Sequence, residues 1–137
     1  SLSAVRTENS KAGRVFGSHG MFYIPDDIAK LASFLTIQSG AIDGQQILQP
    51  DLLADTFQRD PSDRGLRTTG SEIYNNSFWA KEYQYPCSFY VTFMWGYGGN
   101  SIAMMPNGAT YYVFSDNGEF LFDGAVTEVT KLAPMCP

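Results

Sequence analysis

Phe89, Val91, Phe93 and Trp95 alternate with Tyr90, Thr92 and Met94. A period of two is the repeat of a β-strand, whose successive side chains point to opposite faces, and here both faces are apolar or nearly so. Ser101 to Met105 and Ala109 to Phe114 follow as two more strand runs, separated by Pro106-Asn107-Gly108. Asn-Gly is the strongest short-range hairpin signal. Residues 87–114 are therefore expected to form consecutive antiparallel strands turning at Asn107-Gly108, with no helix anywhere in 101–114.

Helical spacing flanks this block. Ile28, Leu31, Ala32 and Leu35 recur at i, i+3, i+4 and i+7, which places them on one helical face. Pro25 suits the first turn, where its missing N–H costs nothing, and Asp26 and Asp27 sit where the helix dipole favours negative charge. Gly40 is a natural terminator. A turn through Asp43-Gly44 and a short extended piece lead to a second helix from Pro50 and Asp51, with Leu52, Leu53 and Phe57 expected to face inward. Asp60 to Gly70 reads as a long surface loop, Ile73 to Trp79 as a strand, and residues 1–20 as extended or loop. Ala125, Val126, Val129, Leu132 and Ala133 have helical spacing and stop at Pro134. Helices, then antiparallel strands, then a helix make an α+β pattern. No repeat or linker interrupts it, so residues 1–137 read as a single domain.

Charge and residue inventory exclude several functions. The net charge is −5 and no Lys/Arg-rich run exists, which argues against a nucleic-acid partner. The apolar stretches fall short of the ~20 residues that span a bilayer. Ser1 to Ser10 lack a basic end followed by an apolar block, so no signal peptide is expected there; in an interior piece of a longer chain, that says nothing of localisation. Two cysteines and one histidine are too few for a zinc cluster of nitrogen and sulfur ligands, and no calcium-loop spacing is present. No metal or cofactor is expected. Cys87 and Cys136 leave two readings open, a disulfide in an oxidising compartment or two thiols in a reducing one.

The richest stretch is Trp95-Gly96-Tyr97-Gly98-Gly99-Asn100. Glycines at the end of a bulky strand let the backbone approach a ligand closely, and backbone N–H groups aimed at it can stabilise an oxyanion during acyl transfer. The plainer reading is a bulged strand end without a ligand. The missing Lys-Ser/Thr ending and the strand that follows argue against a phosphate loop. Gly99-Asn100-Ser101-Ile102-Ala103 approaches a nucleophile elbow, but its fifth residue is Ala and no helix follows. His19 reads as a polar loop residue, and Asp26 and Asp27 as helix-start acids. The 20 aromatic residues (two Trp, eight Tyr, ten Phe) would also suit a non-catalytic module that stacks ligands on its sheet, though their alternation favours core packing.

Gly17-Ser18-His19-Gly20-Met21-Phe22-Tyr23, with Pro25-Asp26-Asp27-Ile28-Ala29-Lys30-Leu31 after it, resembles a segment of the serine β-lactamase-related hydrolases. That family includes class C β-lactamases, D-alanyl-D-alanine carboxypeptidases, carboxylesterases and 6-aminohexanoate-dimer hydrolases. Gly40 to Pro50 looks like the family's G-x-x-x-G-x-x-I-L-x-P turn. Gly96 to Ile102, then Pro106 and Tyr111 to Phe114, look like its last active-site strand and following hairpin. A Gly-Gly-Asn ending without Lys-Thr-Gly is nearest the 6-aminohexanoate-dimer hydrolase and esterase-like branch. The resemblance covers about residues 12–133.

The resemblance implies the C-terminal part of a β-lactamase/transpeptidase-like fold, in a protein that hydrolyses an ester or amide through an acyl-serine. The implied Ser-x-x-Lys nucleophile belongs upstream; no serine here has a lysine three residues later, so no catalytic residue is assigned to this chain. Tyr74-Asn75-Asn76 spells the family's Tyr-x-Asn but lies too late in the chain, and reads as a packed strand aromatic. Trp95, Gly96, Tyr97, Gly98, Gly99 and Asn100 are the implied substrate-binding set, with Tyr97 and Asn100 facing substrate. The implied partners are the missing N-terminal part of the same protein, a small ester or amide, and a second copy through exposed sheet surface. Export is common in this family, which implies a periplasmic or secreted protein with Cys87 bonded to Cys136; a cytoplasmic location is the alternative.

Overall fold

The computed structural model describes residues 6–7, 21–22, 24–68, 70–119 and 122–136. Most of the Gly17 to Tyr23 segment, including Ser18 and His19, lies outside these residues. The element order is β1 (Arg6–Thr7), β2 (Met21–Phe22), α1 (Pro25–Leu35), β3 (Ala41–Ile42), β4 (Gln45–Gln46), α2 (Pro50–Thr56), β5 (Leu66–Arg67), β6 (Glu72–Asn75), β7 (Phe78–Tyr83), β8 (Phe89–Gly96), β9 (Asn100–Met104), β10 (Thr110–Val113) and α3 (Asp123–Thr130). The architecture is α+β. Six strands form an antiparallel meander in the order β10-β9-β8-β7-β6-β5, and β1-β2 and β3-β4 make two small hairpins.

The chain enters α1 through Pro25 in the first turn and leaves it at Thr36, whose hydroxyl donates to the Ala32 carbonyl at 2.7 Å. Gly40 then reverses the chain with φ +77, its N–H donating to the Phe34 carbonyl at 2.7 Å. A Cβ there would lie 2.7 Å from the Leu48 Cβ, so both conformation and space demand glycine. Leu53 of α2 and Phe57, the residue that caps its C-terminus, are buried one turn apart. Leu52 is 57% exposed, against expectation, because its neighbour already points at the sheet and it sits about 100° round the helix. Leu132 is likewise exposed, since α3 has ended two residues before it.

Two further expectations are corrected in the sheet. Ile73 to Trp79 is a hairpin rather than one strand: β6 and β7 are joined by Asn76 and Ser77, both at positive φ, as a tight hairpin turn requires. The 60–70 loop contains β5, which pairs Leu66 with Tyr74 and Arg67 with Ile73. The block from β8 to β10 is antiparallel with no helix in 101–114. Its turn is longer than a two-residue hairpin. The Gly108 N–H donates to the Met105 carbonyl at 3.0 Å and the Ala109 carbonyl accepts from Met105 N–H at 2.9 Å, while only Gly108 (φ +85) takes positive φ. That is a three-residue loop with a glycine bulge.

Residues opposite one another in register share a face. One row across all six strands therefore reads Leu66, Tyr74, Trp79, Phe93, Ala103 and Tyr111; the row on the other face reads Arg67, Ile73, Ala80, Thr92, Met104 and Thr110. The first face packs on α3. Phe89, Val91, Phe93, Ala103 and Met105 close there with Phe122, Val126 and Met135 into one buried cluster. The second face carries a smaller cluster of Leu53, Phe57 and Met104, with Leu35, Leu48, Phe78 and Met94 against it. Cys87, just before β8, is disulfide-bonded to Cys136, beyond α3, with Cα atoms 6.6 Å apart, within the reach of such a bond. Among the described residues no helix is long and apolar enough to cross a membrane.

Candidate functional site

β8 runs past the last residue it pairs with on β7, Phe93 opposite Trp79, and ends at Gly96 opposite Asn100 of β9. Tyr97, Gly98 and Gly99 make the connection, and the Gly99 N–H reaches the Gly96 carbonyl at 3.4 Å. Gly98 (φ +87) and Gly99 (φ +103) both occupy a region closed to most side chains.

Space explains these glycines as well as conformation. A Cβ on Gly99 would lie 2.7 Å from the Glu119 carbonyl oxygen, and one on Gly98 would lie 3.1 Å from that of Ser115. The turn therefore packs backbone to backbone against the 115–119 turn, and the Gly118 N–H donates to the Gly98 carbonyl at 2.9 Å. Asn100 ties the two turns together. Its Nδ2 donates to the Tyr97 carbonyl at 3.0 Å and its Oδ1 accepts from Ser115 N–H at 3.1 Å. Within the second turn the Ser115 hydroxyl bonds Asn117, whose Oδ1 also accepts from Glu119 N–H at 3.0 Å. Ser115, Asn117 and Gly118 thus belong to the site's scaffold. The run Ser115-Asp116-Asn117-Gly118 has the composition of a turn, which is the signal in the sequence that marks them.

The six candidate residues fall into distinct jobs. Trp95 is half-buried, with ring centroids 4.6 Å from Phe93, 5.6 Å from Trp79 and 6.4 Å from Phe122, so it anchors the strand in the α3-side core. Gly98, Gly99 and Asn100 hold the turn. Gly96 is exposed and Tyr97 is exposed completely. What this end of the sheet can offer a ligand is the Gly96–Tyr97 stretch of backbone and one aromatic ring, fixed from behind.

Ser101 is 1% exposed, and its hydroxyl has no hydrogen-bond partner among the described residues. Among the described residues no base lies within hydrogen-bond reach to activate it. Tyr74, the Tyr-x-Asn look-alike, is a partly exposed aromatic whose ring meets Trp79 edge-on at 4.8 Å. Asp27 is buried in the first turn of α1, 3.5 Å from Lys30, and Asp26 pairs with the same lysine at 2.7 Å. Among the described residues, no group of three or more His, Cys, Asp or Glu is placed to hold a metal ion.

A large cleft of about 1090 Å³ opens elsewhere, at the other end of β8, among the residues just after α1, the end of α2 and the β9–β10 turn. None of residues 95–100 lines it. Compared with protein-family models and with curated proteins, the sequence matches none.

Proposed function

We propose that this chain is the C-terminal portion of a β-lactamase-related serine hydrolase, and that β8 with its glycine turn is the wall of the substrate cleft. The observation that carries the reading is the exposed Gly96–Tyr97 backbone at the end of a rigid central strand, backed by Asn100 and the 115–119 turn. Donors that stabilise an oxyanion must be fixed before the charge develops, and a strand end braced by a second turn supplies that rigidity. The N–H groups of Gly96 and Tyr97 would face the acyl oxygen, and the Tyr97 ring would lie along the substrate. Asn100 would act by shaping the turn rather than by touching substrate. The nucleophilic serine and its lysine would come from the N-terminal part. Absence of Lys-Thr-Gly favours an ester or amide over a β-lactam as substrate.

Two features support the larger assembly. The edge strand β10 reads Thr-Tyr-Tyr-Val, followed by Phe114 at 52% exposure, with no Lys or Pro to blunt it; such an edge invites another chain. The N-terminal part would cover it, and in isolation a second copy would compete for it. The Cys87–Cys136 disulfide fits an exported protein.

The test has two arms. The natural reading frame upstream of Ser1 should encode Ser-x-x-Lys, and the longer product should hydrolyse a nitrophenyl ester and be labelled on that serine by a fluorophosphonate. The 137-residue chain alone should be inert on the ester and on a chromogenic β-lactam. Turnover by the short chain that disappears in Ser101→Ala or Ser18→Ala would sink the proposal, as would an upstream frame without the motif.

A further inference from the structure

Among the described side chains, ion pairing divides the basic residues by type. Lys30, Lys81 and Lys131 each contact a carboxylate, whereas Arg59, Arg64 and Arg67 are in no ion pair. In a chain with more acids than bases, arginines left over from pairing call for a reason. Arg59 and Arg64 line the open cleft together with the exposed apolar side chains of Ile37 and Pro106.

Arg64 is held in a fixed pose. Its guanidinium carbon lies 4.0 Å from the Tyr90 ring centroid, and Nη1 donates to the Gln58 carbonyl. Gln58 is itself fixed: wholly buried at φ 50, it donates from Nε2 to the Phe78 carbonyl at 3.2 Å and accepts from the Thr92 hydroxyl at 3.3 Å. A non-glycine residue in the left-handed region costs roughly 1–2 kcal/mol and persists only where its surroundings over-determine it. The outcome is a guanidinium with one face covered and one nitrogen committed, its other N–H groups making no hydrogen bond to the described residues. Asp60 feels the positive charge of Arg64 without forming an ion pair with it, and accepts hydrogen bonds from the Ser62 N–H and hydroxyl at 2.8 and 2.7 Å. Glu82 accepts from the Ser88 hydroxyl at 2.7 Å.

We propose that this cleft binds an organic carboxylate carried on a flat apolar body. Arg64 grips the carboxylate through its planar fork, Arg59 supplies a second positive charge, and the body lies against Ile37 and Pro106. A pre-positioned arginine suits this role because little freedom remains to be lost on binding. The site lies at the opposite end of β8 from the glycine turn, and it does not depend on the hydrolase reading.

The experiment compares 2-naphthoate with its neutral isostere 2-naphthamide by equilibrium dialysis, on the 137-residue chain and on Arg64→Gln, Arg64→Lys and Arg59→Gln, with a thermal melt of each. Naphthoate should bind with Kd below about 1 mM and about tenfold or more tighter than the amide, the ratio expected for a charged hydrogen-bonded pair. Arg64→Gln and Arg64→Lys should both erase that preference, the lysine because it lacks the fork. Arg59→Gln, at an exposed position, should reduce it about threefold, as expected for a more screened charge. Equal binding of acid and amide, undiminished preference in a folded Arg64 variant, or no binding at about 1 mM would overturn the proposal. If Arg64→Gln fails to fold, the acid-to-amide ratio and the Arg59 variant still decide it.

Discussion

The two faces of the six-stranded sheet are built from the same strands and do opposite work. On the α3 face the central row is aromatic or apolar from Leu66 to Tyr111, and Phe93 at its middle is wholly buried against Trp95 and Phe122 at 4.6 and 4.7 Å. On the α2 face the matching row holds Arg67, Thr92 and Thr110, and the buried cluster shrinks to three residues beside an open cleft. The first face is closed by apolar contact and a disulfide. The second is organised by the hydrogen bonds around Gln58, which specify a geometry at the expense of packed area. One surface is arranged for stability and the other for holding groups in position.

Phe93→Ala should break the contrast most severely, costing about 3–5 kcal/mol as a cavity opens in the filled face. Met104→Ala is equally buried, but beside the cleft its neighbours can relax, so the expected loss is about 2 kcal/mol. Urea midpoints of the two variants measure the difference; equal losses would mean the faces are equally tight. Removing the disulfide with Cys87→Ser and Cys136→Ser should cost about 4 kcal/mol in the chain-entropy model for a separation of 49 residues. A melting temperature unchanged by reductant would contradict that.

Gln58 tests the polar face. Gln58→Ala should lose about 2 kcal/mol by removing the donor to the Phe78 carbonyl and leaving the Thr92 hydroxyl only the Phe57 carbonyl as acceptor, and Gln58→Gly should lose about 1 kcal/mol less, because glycine accepts φ 50 without strain. Alanine proving the milder substitution would rule out that backbone account.

The acid limb of stability tests the edge of the apolar face. Burial alone would raise the Asp123 carboxyl, but hydrogen bonds from Tyr83 and Lys81 outweigh it and hold the pKa below the ordinary carboxylate range. A depressed folded pKa means the contribution is complete above the unfolded value near 3.8 and fades as pH falls through the folded one. Asp123→Asn should therefore remove part of the acid-induced loss, by under about 1 kcal/mol for so exposed a pair. Tyr83 works in the other direction: burial first, then Asp123, pushes its hydroxyl well above its ordinary value of 10.0, so stability should decline once pH exceeds that value. Denaturant titrations from pH 3 to 11 cover both limbs. The smallest effect is expected at Tyr97→Ala, within about 0.5 kcal/mol on stability, since the ring touches solvent all round. A larger loss would mean that the glycine turn leans on Tyr97.

Periodicity made the central strands and α1 legible, because Phe89 to Trp95 and Ile28 to Leu35 repeat at the spacing of their elements. The hairpin at Asn76-Ser77 was hidden, since serine is a poor signal for positive φ and the flanking aromatics read as one strand. β5 was hidden for a different reason: an edge strand of two polar-flanked residues owes its conformation to β6, a tertiary cause with no local pattern. At the glycine turn the composition pointed to close backbone approach, and the structure supplies the partner, the 115–119 turn. The arginine cleft was invisible because Gln58, Arg64 and Tyr90 meet only after the sheet has formed. No spacing rule links a left-handed glutamine to a strand 34 residues later.

The Cys87–Cys136 bond also decides how the molecule would respond to tension. A pull on the C-terminus enters the sheet at the start of β8 and bypasses α3 and the β9–β10 hairpin. The segment between the two cysteines is thus withheld from extension. Stretched at ~3.4 Å per residue, those 49 positions amount to about 170 Å of slack that appears only after the bond is reduced.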